Sequence, residues 1–151
     1  DYDGFNNKLR HEEIKQVFNE SKAKHKLCIA DACHSGTLSY NNNFAAKGPA
    51  PVSMQRYYQA FEDADGGIAL LMSSKAEELS LEDHGLRQGV FTYYVLQGLK
   101  GQADKNGDYL VTIKELYNFV YAKVREYTAN VQTPILTGNY DDNMPVALRR
   151  N

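Results

Sequence analysis

The sequence predicts an α/β fold, a three-layer sandwich in which helices flank a mostly parallel central sheet. Two apolar runs, residues 27–30 and 68–72, are short and uninterrupted, which is typical of parallel strands buried on both faces. Segments with apolar residues at helical spacing precede the first run and follow the second. Helices that alternate with buried strands are the pattern of an α/β sandwich.

The first predicted helix spans residues 10–24. Its apolar residues stand at helical spacing among Glu, Lys and Gln, which predicts one covered side; they are Ile14, Val17 and Phe18. A strand is predicted over residues 26–31. Asp31 and Cys33 then emerge at the carboxyl end of that strand, where sites in open α/β sheets collect.

The middle of the chain predicts two loops around one strand. Residues 40–54 contain three consecutive asparagines and a Gly-Pro-Ala-Pro segment, so we expect a long exposed loop there. Residues 67–73 have the composition of a buried strand. The polar residues 74–83 that follow predict a second loop.

Two helices and an edge strand are predicted in the remaining part. One helix ends near Gly101, and its apolar face consists of Val90, Phe91, Tyr94, Val95 and Leu99. Thr112 and Glu115 form a capping box for a longer helix, whose apolar face consists of Ile113, Leu116, Tyr117, Val120, Val124 and Tyr127. Residues 132–137 surround Pro134, which is tolerated in an edge strand but not in a central one.

Composition bounds the class of protein. The chain has 151 residues, 42% hydrophobic and 24% charged, which fits one globular domain. Seventeen basic and nineteen acidic residues give a net charge of −2 without a long single-sign run, so we expect neither a nucleic-acid nor a membrane partner. No apolar run approaches the roughly 20 residues of a spanning helix, and the N-terminal residues lack the order of a signal peptide. Cys28 and Cys33 lie five apart along a strand and its exit, so we expect reduced thiols and a cytoplasmic setting.

The hexapeptide at residues 31–36, Asp-Ala-Cys-His-Ser-Gly, concentrates reactive side chains just after an apolar strand. A lone cysteine is usually a small buried apolar residue, and Cys28 fits that description. The hexapeptide, in contrast, resembles the nucleophile motif of metacaspases and other caspase-like peptidases. The resemblance continues through Gly-Ile-Ala-Leu-Leu-Met-Ser-Ser at 67–74, Gly-Val-Phe-Thr-Tyr-Tyr at 89–94 and Leu-Lys-Gly at 99–101.

This resemblance implies a partial caspase-like fold and a cysteine endopeptidase whose nucleophile is Cys33. Residues 1–151 would form the C-terminal part of the peptidase domain, with an exposed inter-subunit-type loop near 40–56. A thiol has a pKa of about 8.5, so attack at neutral pH needs a nearby histidine. The family carries that histidine in a Ser-Gly-His-Gly-type segment upstream of the cysteine, and no such segment precedes Cys33 here.

The four histidines of the chain are poorly placed to act as the base. His11 lies in the first predicted helix, His25 at the opposite end of the strand, and His84 in a predicted loop, while His34 adjoins Cys33 and should point away from it. The chain alone is therefore expected to be inactive, with an upstream segment or subunit of the same peptidase supplying the histidine. The alternative is a catalytically inactive caspase-like scaffold or partner-binding module.

The same resemblance places Asp31 in the S1 pocket, where a desolvated carboxylate would favour Arg or Lys at P1. Ser73 and Ser74 are expected to line the pocket with their backbone. The alternative for Asp31 is that it caps a turn or orients His34. The substrate would be a protein or peptide.

No cofactor is expected, with calcium as the one candidate. Asp104, Asn106 and Asp108, with Thr112 and Glu115, match the ligand spacing of an EF-hand loop. The sixth position of such a loop requires glycine and is Tyr109 here, so a tight turn is the favoured interpretation. A calcium sensor is therefore only the second alternative function. The cysteine and histidine spacings fit no zinc site.

Overall fold

The computed structural model describes residues 11–31, 44–46, 67–75, 78, 80–83, 85–86 and 88–149. These contain three α-helices, which are α1 (His11–Glu20), α2 (Val90–Gln97) and α3 (Ile113–Tyr127). A π-helical turn, Gly98–Gln102, extends α2. The strands are β1 (Lys26–Ala30), β2 (Phe44–Ala46), β3 (Ile68–Met72), β4 (Leu81–Asp83), β5 (Gln88–Gly89), β6 (Leu110–Thr112), β7 (Ile135–Asn139) and β8 (Pro145–Leu148).

The strands form three small sheets. The first has the order β1-β3-β7, in which β1 pairs with β3 in parallel and β7 pairs with β3 antiparallel. The other two, β2-β4-β5 and β6-β8, are antiparallel. The α/β character is as predicted. Within the described residues, however, only one of the pairings is parallel, so they do not show the mostly parallel central sheet that the apolar runs predicted.

Strands β1 and β3 differ in burial although their sequences look alike. Every residue of β3 is buried, as predicted. The prediction is wrong for β1, whose residues are only half-buried and whose Ile29 side chain is 40% exposed. The reason is position: β3 lies between two strands, whereas β1 ends the described order and pairs there on one side only.

Helix α1 also departs from its predicted covered face. It begins and ends within the predicted range of 10–24. Phe18 is half-buried, but Val17 is 66% exposed, so that part of the predicted face is wrong. The helix is tied to the following strand by the Lys26 ammonium, which donates to the Phe18 carbonyl oxygen at 2.5 Å.

Two strands lie where loops were predicted. Strand β2 falls within the predicted loop 40–54, and β4 falls at the end of the predicted loop 74–83; the two pair antiparallel, with Ala45 opposite Glu82. Leu81 of β4 is buried in the core, which anchors this polar segment. The rest of residues 40–56 lies outside the described residues, so their role as an inter-subunit loop stays a prediction.

The core lies between β3 and the two C-terminal helices, and both helical faces are close to those predicted. Its fully buried members include Leu71, Val90, Phe91, Val111, Ile113, Leu116, Val120 and Val124. The predicted capping box is confirmed: the Glu115 amide donates to Thr112 Oγ1, and the Thr112 amide donates to Glu115 Oε2. No helix among the described residues is both long and apolar enough to cross a membrane.

The predicted edge strand is β7, and it begins just after Pro134 rather than at residue 132. It is the last strand of the described order, in agreement with the predicted edge strand. Gly138 adopts a φ of +108°, and a Cβ atom there would lie 2.2 Å from the Ile68 carbonyl oxygen. This close approach of β7 to β3 therefore requires glycine.

Candidate active site

The carboxyl edge of β1 and β3 is the predicted site. The Ser73 amide donates to the Ala30 carbonyl oxygen at 3.0 Å, so the hydrogen bonding to β1 continues one residue past the end of β3. Asp31 and Ser73 consequently leave the sheet at the same edge, and Ser74 follows directly. Cys33, the predicted nucleophile, lies outside the described residues, as does His34.

The carboxylate of Asp31 is held by two hydroxyl groups from different elements. Ser80, just before β4, donates from Oγ to Asp31 Oδ1 at 2.9 Å. Thr92, in the first turn of α2, donates from Oγ1 to Asp31 Oδ2 at 2.5 Å. Asp31 itself is half-buried. Hydrogen bonds to a carboxylate are shorter and stronger than neutral ones, so this arrangement fixes the end of β1 against β4 and α2.

Behind Asp31 lies the buried amide of Gln132, in the connection between α3 and β7. Its Oε1 accepts the Leu81 amide at 2.9 Å. Its Nε2 donates to the Ser73 carbonyl oxygen at 2.8 Å and to Ser80 Oγ at 3.3 Å. Gln132 is 0% exposed. One side chain thus joins the ends of β3, β4 and α3, and it contacts the same hydroxyl that holds Asp31.

Sequence reasoning missed three of these residues. Ser80 and Thr92 are ordinary hydroxyl residues in segments predicted as a loop and an apolar helix. Gln132 stood at the start of a predicted edge strand. Thr92 lies in a segment that resembles the family, but no local pattern gives any of the three residues a role, because each becomes part of the site only through contacts with distant residues.

The two serines after β3, which were expected to line the pocket with their backbone, are almost completely buried. Ser73 is 1% and Ser74 3% exposed. The Ser73 amide and carbonyl bind Ala30 and Gln132, and the Ser74 hydroxyl donates to the Glu78 carbonyl oxygen at 3.3 Å. The roles of these serines in substrate binding stay predictions.

Strand β4, which directly follows Ser80, is bound to α3 by a tyrosine hydroxyl. The Tyr127 hydroxyl donates to Asp83 Oδ2 at 2.5 Å. This hydrogen bond, with a smaller contribution from burial, raises the pKa of Tyr127 to about 12. Tyr94 packs edge-on against Tyr127, and burial raises the pKa of Tyr94 as well. These contacts hold β4, and with it Ser80, against the helices.

The candidate calcium loop has its side chains turned onto its own backbone. Asp104 Oδ1 accepts the Gly107 amide at 2.8 Å, and its Oδ2 accepts the Tyr109 amide at 3.2 Å. Arg149 Nη1 lies 3.6 Å from Asp104 Oδ2. Tyr109 adopts a φ of +68°, the left-handed conformation that favours glycine. The described residues contain no group of three or more His, Cys, Asp or Glu side chains that could hold a metal ion. The expectation of no cofactor stays a prediction, and calcium stays the one candidate.

Comparison with protein families gives one match, and it spans nearly the whole chain. The family model described as the caspase domain matches residues 2–144. No curated protein and no solved structure gave a match. The matched range includes the hexapeptide, the fully buried strand β3 and both C-terminal helices. On this evidence the chain belongs to the caspase-domain family and is a caspase-like cysteine peptidase domain.

Proposed function

We propose that the protein is a cysteine endopeptidase that cleaves after Arg or Lys, with Cys33 as its nucleophile. The observation that carries this proposal is the position of Asp31. Its carboxylate is held at the carboxyl edge of the parallel strands, two residues before Cys33 in the sequence. Membership of a caspase-domain family supports the cysteine peptidase chemistry.

The reaction would begin with the Cys33 thiol, which would pass its proton to the histidine and become a thiolate. The sulfur attacks the carbonyl carbon of the scissile peptide, and the carbon–nitrogen bond breaks as the imidazolium returns the proton to the leaving amine. Water then hydrolyses the resulting thioester, which releases the acid and restores the thiol. The Cys33 backbone amide would be one donor to the oxyanion, and an amide beside the histidine the other.

The histidine would come from an upstream segment or subunit of the same peptidase. The sequence before Cys33 lacks the family's Ser-Gly-His-Gly-type segment. The Ile29 side chain of β1 is 40% exposed, which supports a further partner beside this strand. We propose that such a partner completes the three-layer, mostly parallel sandwich. This chemistry requires a reduced thiol, so we propose that the protein acts in the cytoplasm, where thiols stay reduced.

Basic specificity follows from the charge of Asp31. The hydroxyl groups of Ser80 and Thr92 are neutral donors, so they orient the carboxylate without cancelling its charge. A guanidinium or ammonium group at P1 would therefore find an oriented negative charge beside the scissile bond.

The test uses the full-length protein and peptides that differ only at P1, with Arg, Lys, Gln or Asp. We expect cleavage of the Arg and Lys peptides alone, and none by the Cys33→Ala variant. Asp31→Asn keeps the shape of the side chain but removes its charge, so kcat/KM for both basic peptides should fall by roughly 100-fold. Cleavage after Asp instead of Arg would refute the role of Asp31. A folded protein that cleaves none of the peptides would favour the inactive scaffold.

A further inference from the structure

We propose that Ser80, Thr92 and Gln132 are positioning residues that fix the plane of the Asp31 carboxylate and thereby favour arginine over lysine at P1. This inference rests on the proposed function, because it assumes that Asp31 binds the P1 side chain. It adds a layer of residues that do not themselves contact substrate. Their effect is on which of the two basic side chains binds better.

Both carboxylate oxygens of Asp31 accept a hydrogen bond from a hydroxyl group. Ser80 donates to Oδ1 and Thr92 donates to Oδ2. A carboxylate held at one oxygen can still turn about its last side-chain bond, whereas one held at both cannot. One donor directly precedes β4 and the other lies in α2, and these two elements pack together through the core. The plane of the Asp31 carboxylate is therefore set by two hydroxyl groups from parts of the chain that are distant from Asp31 in the sequence.

The amide of Gln132 determines the direction in which the Ser80 hydroxyl proton points. The Leu81 amide can only donate, so the group of Gln132 that faces it must be the oxygen, and Nε2 must face the Ser73 carbonyl and Ser80 Oγ. Ser80 Oγ thus accepts from Gln132, and its own proton points to Asp31. Reversing the amide would break these bonds, so the direction of the chain from Gln132 through Ser80 to Asp31 is fixed.

Arginine and lysine side chains differ in the geometry with which they bind a carboxylate. A guanidinium is planar and pairs with a carboxylate through two parallel hydrogen bonds, which requires both groups to share a plane. An ammonium is a compact charge that binds a carboxylate from many directions. A carboxylate free to turn would keep its attraction for lysine and lose much of its advantage for arginine.

The experiment measures kcat/KM of the full-length protein on peptides with Arg or Lys at P1. Thr92→Val and Ser80→Ala each remove one hydroxyl donor and leave the charge of Asp31 in place. We expect kcat/KM to fall about tenfold for the Arg peptide and by less than about threefold for the Lys peptide. Thr92→Ser keeps the hydroxyl, so it should retain the wild-type ratio. Thr112→Ala, which removes the cap of α3 far from Asp31, should lower the melting temperature and leave the ratio unchanged.

The outcomes separate this inference from the function on which it rests. Equal losses on both peptides, or an unchanged ratio in Thr92→Val, would refute the positioning role while basic specificity stands. A wild-type protein that cleaves neither peptide would refute the proposed function and this inference with it. If the buried Ser80→Ala variant fails to fold, the half-buried Thr92 pair still decides, because valine and serine differ there in the hydroxyl that matters.

Discussion

Replacement of Gln132 by methionine tests the buried amide most directly, because methionine has nearly the same length and volume. The substitution leaves no large cavity, so the change in stability reports the lost hydrogen bonds. Three are lost: one from the Leu81 amide, one to the Ser73 carbonyl and one to Ser80 Oγ. All three partner residues are buried.

The magnitude follows from the cost of leaving buried polar groups without these bonds. Such a loss costs about 1–3 kcal/mol for each group. The Leu81 amide and the Ser73 carbonyl bear most of it, because the Ser80 hydroxyl still donates to Asp31. Methionine recovers about 1 kcal/mol, since it has no amide to desolvate. We therefore expect a loss of about 1–5 kcal/mol in the free energy of unfolding, which lowers the melting temperature by roughly 3–16 °C in a domain of this size.

The assay is thermal and urea unfolding of the full-length protein, with Gln102→Met as the matched control. Gln102 is exposed and its amide donates to Gln97 at the surface, so its replacement should change stability by less than about 0.5 kcal/mol. The reasoning is refuted if the two variants melt within about 1 °C of each other. Such a result would mean that the amide of Gln132 does not bridge the strand ends.

Further expectations concern a strand glycine, a tyrosine and the two cysteines. Gly138→Ala should lower the free energy of unfolding by about 3 kcal/mol or more, because its Cβ atom meets the backbone of β3. Gly107→Ala, with φ +77° and open space around it, should lose only the cost of its backbone conformation. Melting temperatures compare the two variants, and equal losses would contradict the close approach. The raised pKa of Tyr127 stabilises the fold at pH values below its ordinary pKa of 10.0, and this contribution disappears as the pH rises toward about 12. Because Tyr127 is 36% exposed, solvent screening limits the effect to less than about 1 kcal/mol, and Tyr127→Phe should lose less stability than the wild type over that range of pH. Identical pH profiles of unfolding would rule out the bond to Asp83. In the full-length protein, iodoacetamide should label Cys33 at least about tenfold faster than the cysteine in β1 at neutral pH, as followed by peptide mass spectrometry, and equal rates would argue against a nucleophile.

The parts of the fold that sequence predicted are those encoded by neighbouring residues. Strand β3 and helices α2 and α3 follow from local apolar spacing, and the Thr112 cap follows from a four-residue pattern. Strands β2 and β4 were missed because Phe-Ala-Ala and Leu-Glu-Asp carry little strand signal. They are strands because they pair with each other across more than thirty residues of chain, with Ala46 opposite Leu81. The burial of β1 was overestimated for a related reason, since composition cannot show whether a strand lies between neighbours or ends the order.

The candidate site divides in the same way. The hexapeptide predicted Asp31 at the end of its strand because six consecutive residues carry the motif. The donors to Asp31 come from 49 and 61 residues away, and nothing in the sequence around either donor connects it with Asp31. Gln132 lies 59 residues from Ser73, whose carbonyl it binds. Motifs therefore identify the groups that would meet substrate, whereas the groups that orient them depend on the tertiary fold.

The arrangement of these donors has a consequence for how specificity could change. Asp31 directly follows β1 and stands two residues before Cys33 in the sequence. Ser80 directly precedes β4 and Thr92 lies in α2, and each acts on the Asp31 carboxylate through a single hydrogen bond. A substitution at either hydroxyl can therefore alter the orientation of the carboxylate without changing the segment of sequence that carries Cys33. Preference between arginine and lysine would then vary separately from the chemical step, because neither hydroxyl takes part in the proposed chemistry of the thiol.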